Sequence, residues 1–124
     1  MRRLSNRSAE GTIASMEKGR EIEEKLRALR GGRFLFLPHA IQQMTRPERM
    51  ISRQEVRNVV EHGEVIEDYP NDARGRSCLM LGFGLDRRPI HVVCAPKSEY
   101  LAIVTAYLPD PNEWTGGYRV RKRP

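Results

Sequence analysis

Up to residue 63 the apolar positions recur at three- and four-residue spacing; beyond it they alternate one by one. The stretch "SAEGTIASMEKGREIEEKLRALRGG" predicts a helix whose stripe is Ile13, Met16, Ile22, Leu26 and Leu29. Glu21 and Lys25 form an i,i+4 pair, and Gly31-Gly32 supplies the stop. Next, "RFLFLPHAIQQMTRPERM" holds a short apolar run, then Pro38 suited to a first helical turn. Pro47 predicts that this second helix ends near Thr45. A third helix follows in "ISRQEVRNVVEHG": Ser52 and Glu55 make a capping box, Val56, Val59 and Val60 the buried side, and Gly63 the end.

After residue 63 four strands are expected, in "EVIEDY", "SCLMLGFG", "PIHVVCA" and "YLAIVTAY". Turn-rich "PNDARGR", "LDRR" and "PKSE" separate them. Connections this short suit an antiparallel meander, because parallel neighbours need long crossovers. The expected fold is therefore α+β, N-terminal helices followed by a four-stranded antiparallel sheet with the helices on one face. Residues 1–32 read as a helical appendage, 33–118 as the α+β domain and 119–124 as a basic tail. The stripe of the first helix must pack on the domain, on a second copy of the chain or on a partner protein.

Charge changes the picture at the two ends. The first thirty residues hold eight Lys/Arg against five Asp/Glu, and "RVRKRP" holds four basic groups and no acid. Residues 31–118 hold ten basic groups against eleven acidic ones. Basic ends of this kind can attract a polyanion in a salt-dependent way; a solvated tail is the simpler alternative. No apolar run approaches membrane-spanning length, and nothing apolar follows the basic start "MRRLSNRSAEGT". The expectation is a cytoplasmic protein with no membrane partner. Cys78 and Cys94 sit singly in apolar runs and read as buried reduced thiols; no zinc spacing is present and no metal or cofactor is expected.

The candidate chemistry lies in the last two strands. His91 and Val93 share one face of the third strand, and Leu101, Ile103, Thr105 and Tyr107 share one face of the fourth. Opposite them, Ala102, Val104 and Ala106 offer a small-residue face for a helix. A turn centred on Ser98 places His91 across from Thr105, and a slip of one residue would separate them. An imidazole, a hydroxyl and a phenol in a row suit proton transfer and the orientation of a phosphate. Packing is the competing account, since Thr and Tyr are ordinary strand residues. His39 could act as a base from the first turn of its helix or could simply cap it; His62, at a helix end, reads as structural. Arg46 and Arg49 around Pro47 could cradle a phosphate or merely solvate a loop.

"HAIQQM", "RMISRQEV", "GEVIEDYP", "RPIHVV" and "VTAYLPD", with Trp114, resemble the bacterial domain-of-unknown-function family 4258 over about residues 34–114. That family looks like a relative of RelE-type and colicin-type ribonucleases. The resemblance implies a metal-independent endoribonuclease, the toxin of a toxin–antitoxin pair, that cleaves RNA through attack of the 2′-OH and spares DNA. It also implies roles for particular residues: His91 as general base or acid, Tyr107 and Thr105 orienting the phosphate, Arg49 stabilising charge, and His39 as a second proton-transfer group. Arg46, Arg88, Arg121, Lys122 and Arg123 are the candidate contacts to RNA. An antitoxin protein would dock on the first helix or the sheet face. Two departures stand out: Gln43 replaces an expected arginine, and "TRPERM" is about two residues long for the pattern. The alternative is a non-catalytic protein- or nucleic-acid-binding module on the same fold, in which His91 is buried or blocked.

Overall fold

The computed structural model describes residues 20–122. Helix α1 covers 20–29, followed by β1 (Phe34–Phe36), α2 (Pro38–Met44) and α3 (Arg53–His62). The meander β2 (Glu64–Tyr69), β3 (Ser77–Phe83), β4 (Pro89–Pro96) and β5 (Leu101–Tyr107) comes next. A small hairpin of β6 (Trp114–Thr115) and β7 (Val120–Arg121) ends the described chain. The class is α+β.

Local chemistry sets the helix limits. Ser52 accepts from the backbone N–H of Glu55 while the Glu55 carboxylate accepts from that of Ser52, so the capping box is reciprocal. Pro38 opens α2, and Thr45 closes it through its N–H to the Ile41 carbonyl. In α1, Ile22 and Leu26 are wholly buried in the main core, so this part of the stripe packs on the domain itself. Ile13 and Met16 lie outside the described residues. Glu21 reaches Arg76 at 2.8 Å, and Arg76 also holds Asp68 at 2.8 Å, which ties α1 to the sheet.

Two features of the sheet differ from expectation. It has five strands, not four, in the order β1-β5-β4-β3-β2, and β1 runs parallel to β5. The sheet is thus mixed, and a strand precedes two of the helices. The apolar run 34–36 is too short to show a period, yet its flanks reach β5: Leu101 N–H donates to Arg33 O and Leu37 N–H to Ile103 O. The other difference is register. Val93 pairs with Thr105 but Cys94 pairs with Ile103, leaving Val104 as a bulge.

The bulge redistributes the side chains of β5. Leu101, Ile103 and Ala106 all enter the helix-side core with Cys94, Val92 and Ile90 of β4 and with Val56, Val59 and Val60 of α3. Ala102 and Val104 lie in a second cluster with Ala95 and partly buried Val93. The four residues expected on one face of β5 are therefore split. His91 sits opposite Tyr107, and Thr105 opposite Val93. A one-residue insertion switches the face of everything beyond it, so alternation across residues 101–107 could not hold throughout.

Candidate functional site

His91 is fully buried, at 0% exposure, on the sheet face away from the main core. Its Nε2 lies 2.9 Å from the backbone carbonyl of Tyr118, and its Nδ1 lies 3.2 Å from the Tyr107 hydroxyl. A carbonyl can only accept, so Nε2 carries the proton and Nδ1 accepts from Tyr107. The Trp114 ring stands edge-on to the imidazole with centroids 4.4 Å apart, and the Tyr107 ring does the same at 5.3 Å. Burial lowers the His91 pKa below its ordinary value, against the carbonyl hydrogen bond that favours the charged form. Burial also raises the Tyr107 phenol. The centre is a neutral imidazole with both nitrogens engaged.

The cover over His91 comes from the C-terminal hairpin. Gly116 and Gly117 take positive φ, and Tyr118 does so at 70°, a conformation that costs a non-glycine residue about 1–2 kcal/mol. That turn aims the Tyr118 carbonyl at the imidazole. Electrostatics secure the hairpin's flank: Arg121 Nε lies 3.0 Å from Glu67 Oε2 and its Nη2 lies 3.2 Å from Oε1, a forked contact. Arg121 also stacks on Trp114, 4.7 Å from the ring centroid. Tyr69 donates to the same Glu67 carboxylate, and burial together with that bond pushes its phenol up to about 12. Arg119 adds an ion pair to Glu64 at 2.6 Å. Glu67, Tyr69, Trp114 and Tyr118 thus belong to the His91 centre. Glu67 and Tyr69, within "GEVIEDYP", and Trp114 are part of the family resemblance, though none is marked there as a site residue; Tyr118 carries no signal in the sequence.

The remaining candidates are dispersed. Thr105 is half-buried two pairs along from Tyr107, on the same face. His39 is exposed in the first turn of α2, and Arg46 is exposed in the loop after it. Arg49 is half-buried and donates to Gln43 Oε1 at 2.8 Å, so a loop arginine occupies the neighbourhood where the resemblance expects one. Arg49 also lies near enough to favour the charged form of Tyr107. Arg88 is held on all sides: it bonds both Glu55 oxygens at 3.1 and 2.8 Å and the carbonyls of Arg49 and Met50 at 2.6 and 3.0 Å. That makes it a staple between α3, the 46–51 loop and the turn before β4. Arg121 is exposed and paired, Lys122 is exposed, and Arg123 lies outside the described residues.

Cys78 and Cys94 face each other across β3 and β4 with their sulfurs 3.8 Å apart, both buried and reduced. Among the described residues no group of three or more His, Cys, Asp or Glu side chains is placed to hold a metal ion. Nor is any described helix long and apolar enough to cross a membrane.

The family model described as "Domain of unknown function (DUF4258)" matches residues 36–108, more than half of the 124-residue chain. The chain belongs to the DUF4258 family. Its matched span takes in His39, Arg46, Arg49, Arg88, His91, Thr105 and Tyr107. Trp114, Tyr118 and Arg121, which close the DUF4258 domain over His91, lie beyond that span. No curated protein and no solved structure matches the chain.

Proposed function

We propose that this DUF4258 domain is a non-catalytic nucleic-acid-binding module, and that His91 is the post on which its C-terminal hairpin stands. The observation that carries this reading is the burial of His91 with both ring nitrogens engaged. A general base has to come within hydrogen-bond reach of the proton it takes, directly or through one water. Here the Tyr118 carbonyl and the Tyr107 hydroxyl fill both approaches. Surface charge supports binding. Glu55, Asp68, Glu67 and Glu64 are engaged by Arg88, Arg76, Arg121 and Arg119. Arg33, Arg46, Arg53 and Lys122 remain exposed, with no ion pair among the described residues. Exposed cations of this kind attract a polyanion.

Full-length protein mixed with end-labelled RNA and a chelator tests the reading. The expected result is retarded, intact RNA, with His91→Ala retaining RNA at any concentration where it stays folded. Cleavage to 2′,3′-cyclic phosphate ends, lost in His91→Ala, would overturn it.

A metal-independent endoribonuclease, the RelE-like toxin of a toxin–antitoxin pair, is the second reading. What favours it is the gathering of His91, Tyr107 and Thr105 on one face, with Arg121 and Arg49 within electrostatic reach of Tyr107. In that reading the hairpin swings away and frees Nε2 from the Tyr118 carbonyl, Nε2 takes the 2′-OH proton while Nδ1–H donates to the Tyr107 oxygen, and an antitoxin holds the hairpin down.

A further inference from the structure

Phe34 and Phe36 lie two residues apart on β1 and so share a face, with their rings 6.5 Å apart. Arg53 and Arg57 lie four apart on α3 and so share a helix face. The two pairs meet. Arg57 Cζ stands 3.8 Å from the centroid of Phe34, and Arg53 Cζ stands 5.1 Å from that of Phe36.

These arginines are not neutralised. Arg57 donates to the carbonyls of Arg30 and Gly32 at 3.4 and 3.3 Å, which hold its guanidinium in place while leaving its charge uncompensated. Arg53 makes no hydrogen bond or ion pair among the described residues, and neither does the exposed side chain of Arg33. The sequence from Arg27 to Gln54 contains one acid, Glu48, in the loop after α2. The acid of the first turns of α3, Glu55, is turned away to Arg88. Covering the rings with arginine stems would satisfy packing alone, and lysine would serve as well for that. A planar guanidinium on an aromatic ring does more, because its second face stays free to stack on another flat group.

We infer that this face is a track for a single-stranded nucleic acid, with bases stacking on the Arg53 and Arg57 guanidinium planes and phosphates drawn by Arg33 and Arg30. The inference rests on the nucleic-acid-binding reading and adds the place and the strandedness. A duplex hides its base faces, whereas a single strand offers them to stacking platforms set in a positive field. An acidic peptide would meet the same charge but would not need the stacked planes.

The test is fluorescence anisotropy with labelled uridine and deoxythymidine 12-mers, titrated with the full chain at low and moderate salt. Arg53→Gln/Arg57→Gln is expected to weaken binding at least tenfold. Arg53→Lys/Arg57→Lys, which keeps charge and loses the planes, is expected to fall between that variant and wild type. Arg74→Gln/Arg87→Gln, an equal loss of charge in turns elsewhere, should change affinity less than threefold. Thermal melts accompany each variant, and the lysine pair decides the matter if the glutamine pair does not fold. Wild-type binding that all variants share equally, or lose equally, overturns this surface and leaves the binding reading standing. Absence of binding to either oligomer overturns both, and binding of a polyglutamate peptide in place of the oligomers assigns the face to protein.

Discussion

Arg88 shows how a residue chosen for its charge turns out to act by geometry. Its guanidinium answers the Glu55 carboxylate and two loop carbonyls, and the carboxylate it answers is only 5% exposed. Burial alone would raise the Glu55 pKa. The hydrogen bonds from Arg88 and from the N–H groups of Leu85 and Ser52 outweigh that and hold it at about 2. Arg88→Ala strands this carboxylate, and removing one partner of a buried pair costs roughly 3–5 kcal/mol. Urea denaturation should show that loss as a lower midpoint. Arg88→Lys should lose about half as much, since an ammonium cannot serve both carboxylate oxygens and both carbonyls in one plane. An RNA-contact role predicts the opposite pattern: unchanged stability with weakened binding. The Arg-Pro-x-His pattern marked Arg88 as worth watching, but its partner Glu55 lies 33 residues away and no local pattern joins them.

At the scale of elements, legibility follows the range of the interactions. The capping box and valine side of α3 are local, and they stand as the pattern has them. The strands β2 to β5 alternate strongly enough to be found one by one. Their register is another matter: apolar residues lie on both sides of β5, so the bulge at Val104 leaves no mark in the pattern. Strand β1 has three residues and a partner 67 positions on, which no periodicity can signal. The closure of His91 depends on a hairpin of two-residue strands whose turn needs Gly116 and Gly117 at positive φ. Trp114→Ala tests that element. It removes the ring against His91 and the platform under Arg121, with an expected cost of about 3 kcal/mol for a buried aromatic. Since burial lowers the His91 pKa, uncovering it should move that pKa back up towards the ordinary value of 6.5 in an NMR titration. An unmoved value would mean that the hairpin is not the lid. If the second reading holds, the same variant should cut RNA faster than wild type.

The whole molecule sums these centres in its response to pH. His91 has a lowered pKa in the fold, so the unfolded chain takes up a proton first as pH falls through about 6.5. Stability from this source is complete above that value and declines below it. Glu55 behaves the same way further down: its ordinary value is 4.5 and its folded value about 2, so its contribution is intact above 4.5 and lost between there and 2. That second limb is worth roughly 3 kcal/mol. On the alkaline side Tyr69 is raised from 10 to about 12, so stability declines as pH climbs through that window. The buried Cys78 thiol is raised from its ordinary 9.0 as well, so thermal melts across pH should give a plateau from about 7 to 8.5, a shallow fall below 6.5 and a steep one below 4.5. His91→Gln should erase the shallow step and leave the steep one, because the two groups share no partner. Arg88→Ala should lower the plateau and flatten the steep limb, since Glu55 then loses the bonds that depress it. A profile in which His91→Gln leaves the shallow step in place would mean that His91 titrates alike in the folded and unfolded chain, and that the imidazole is open to water after all.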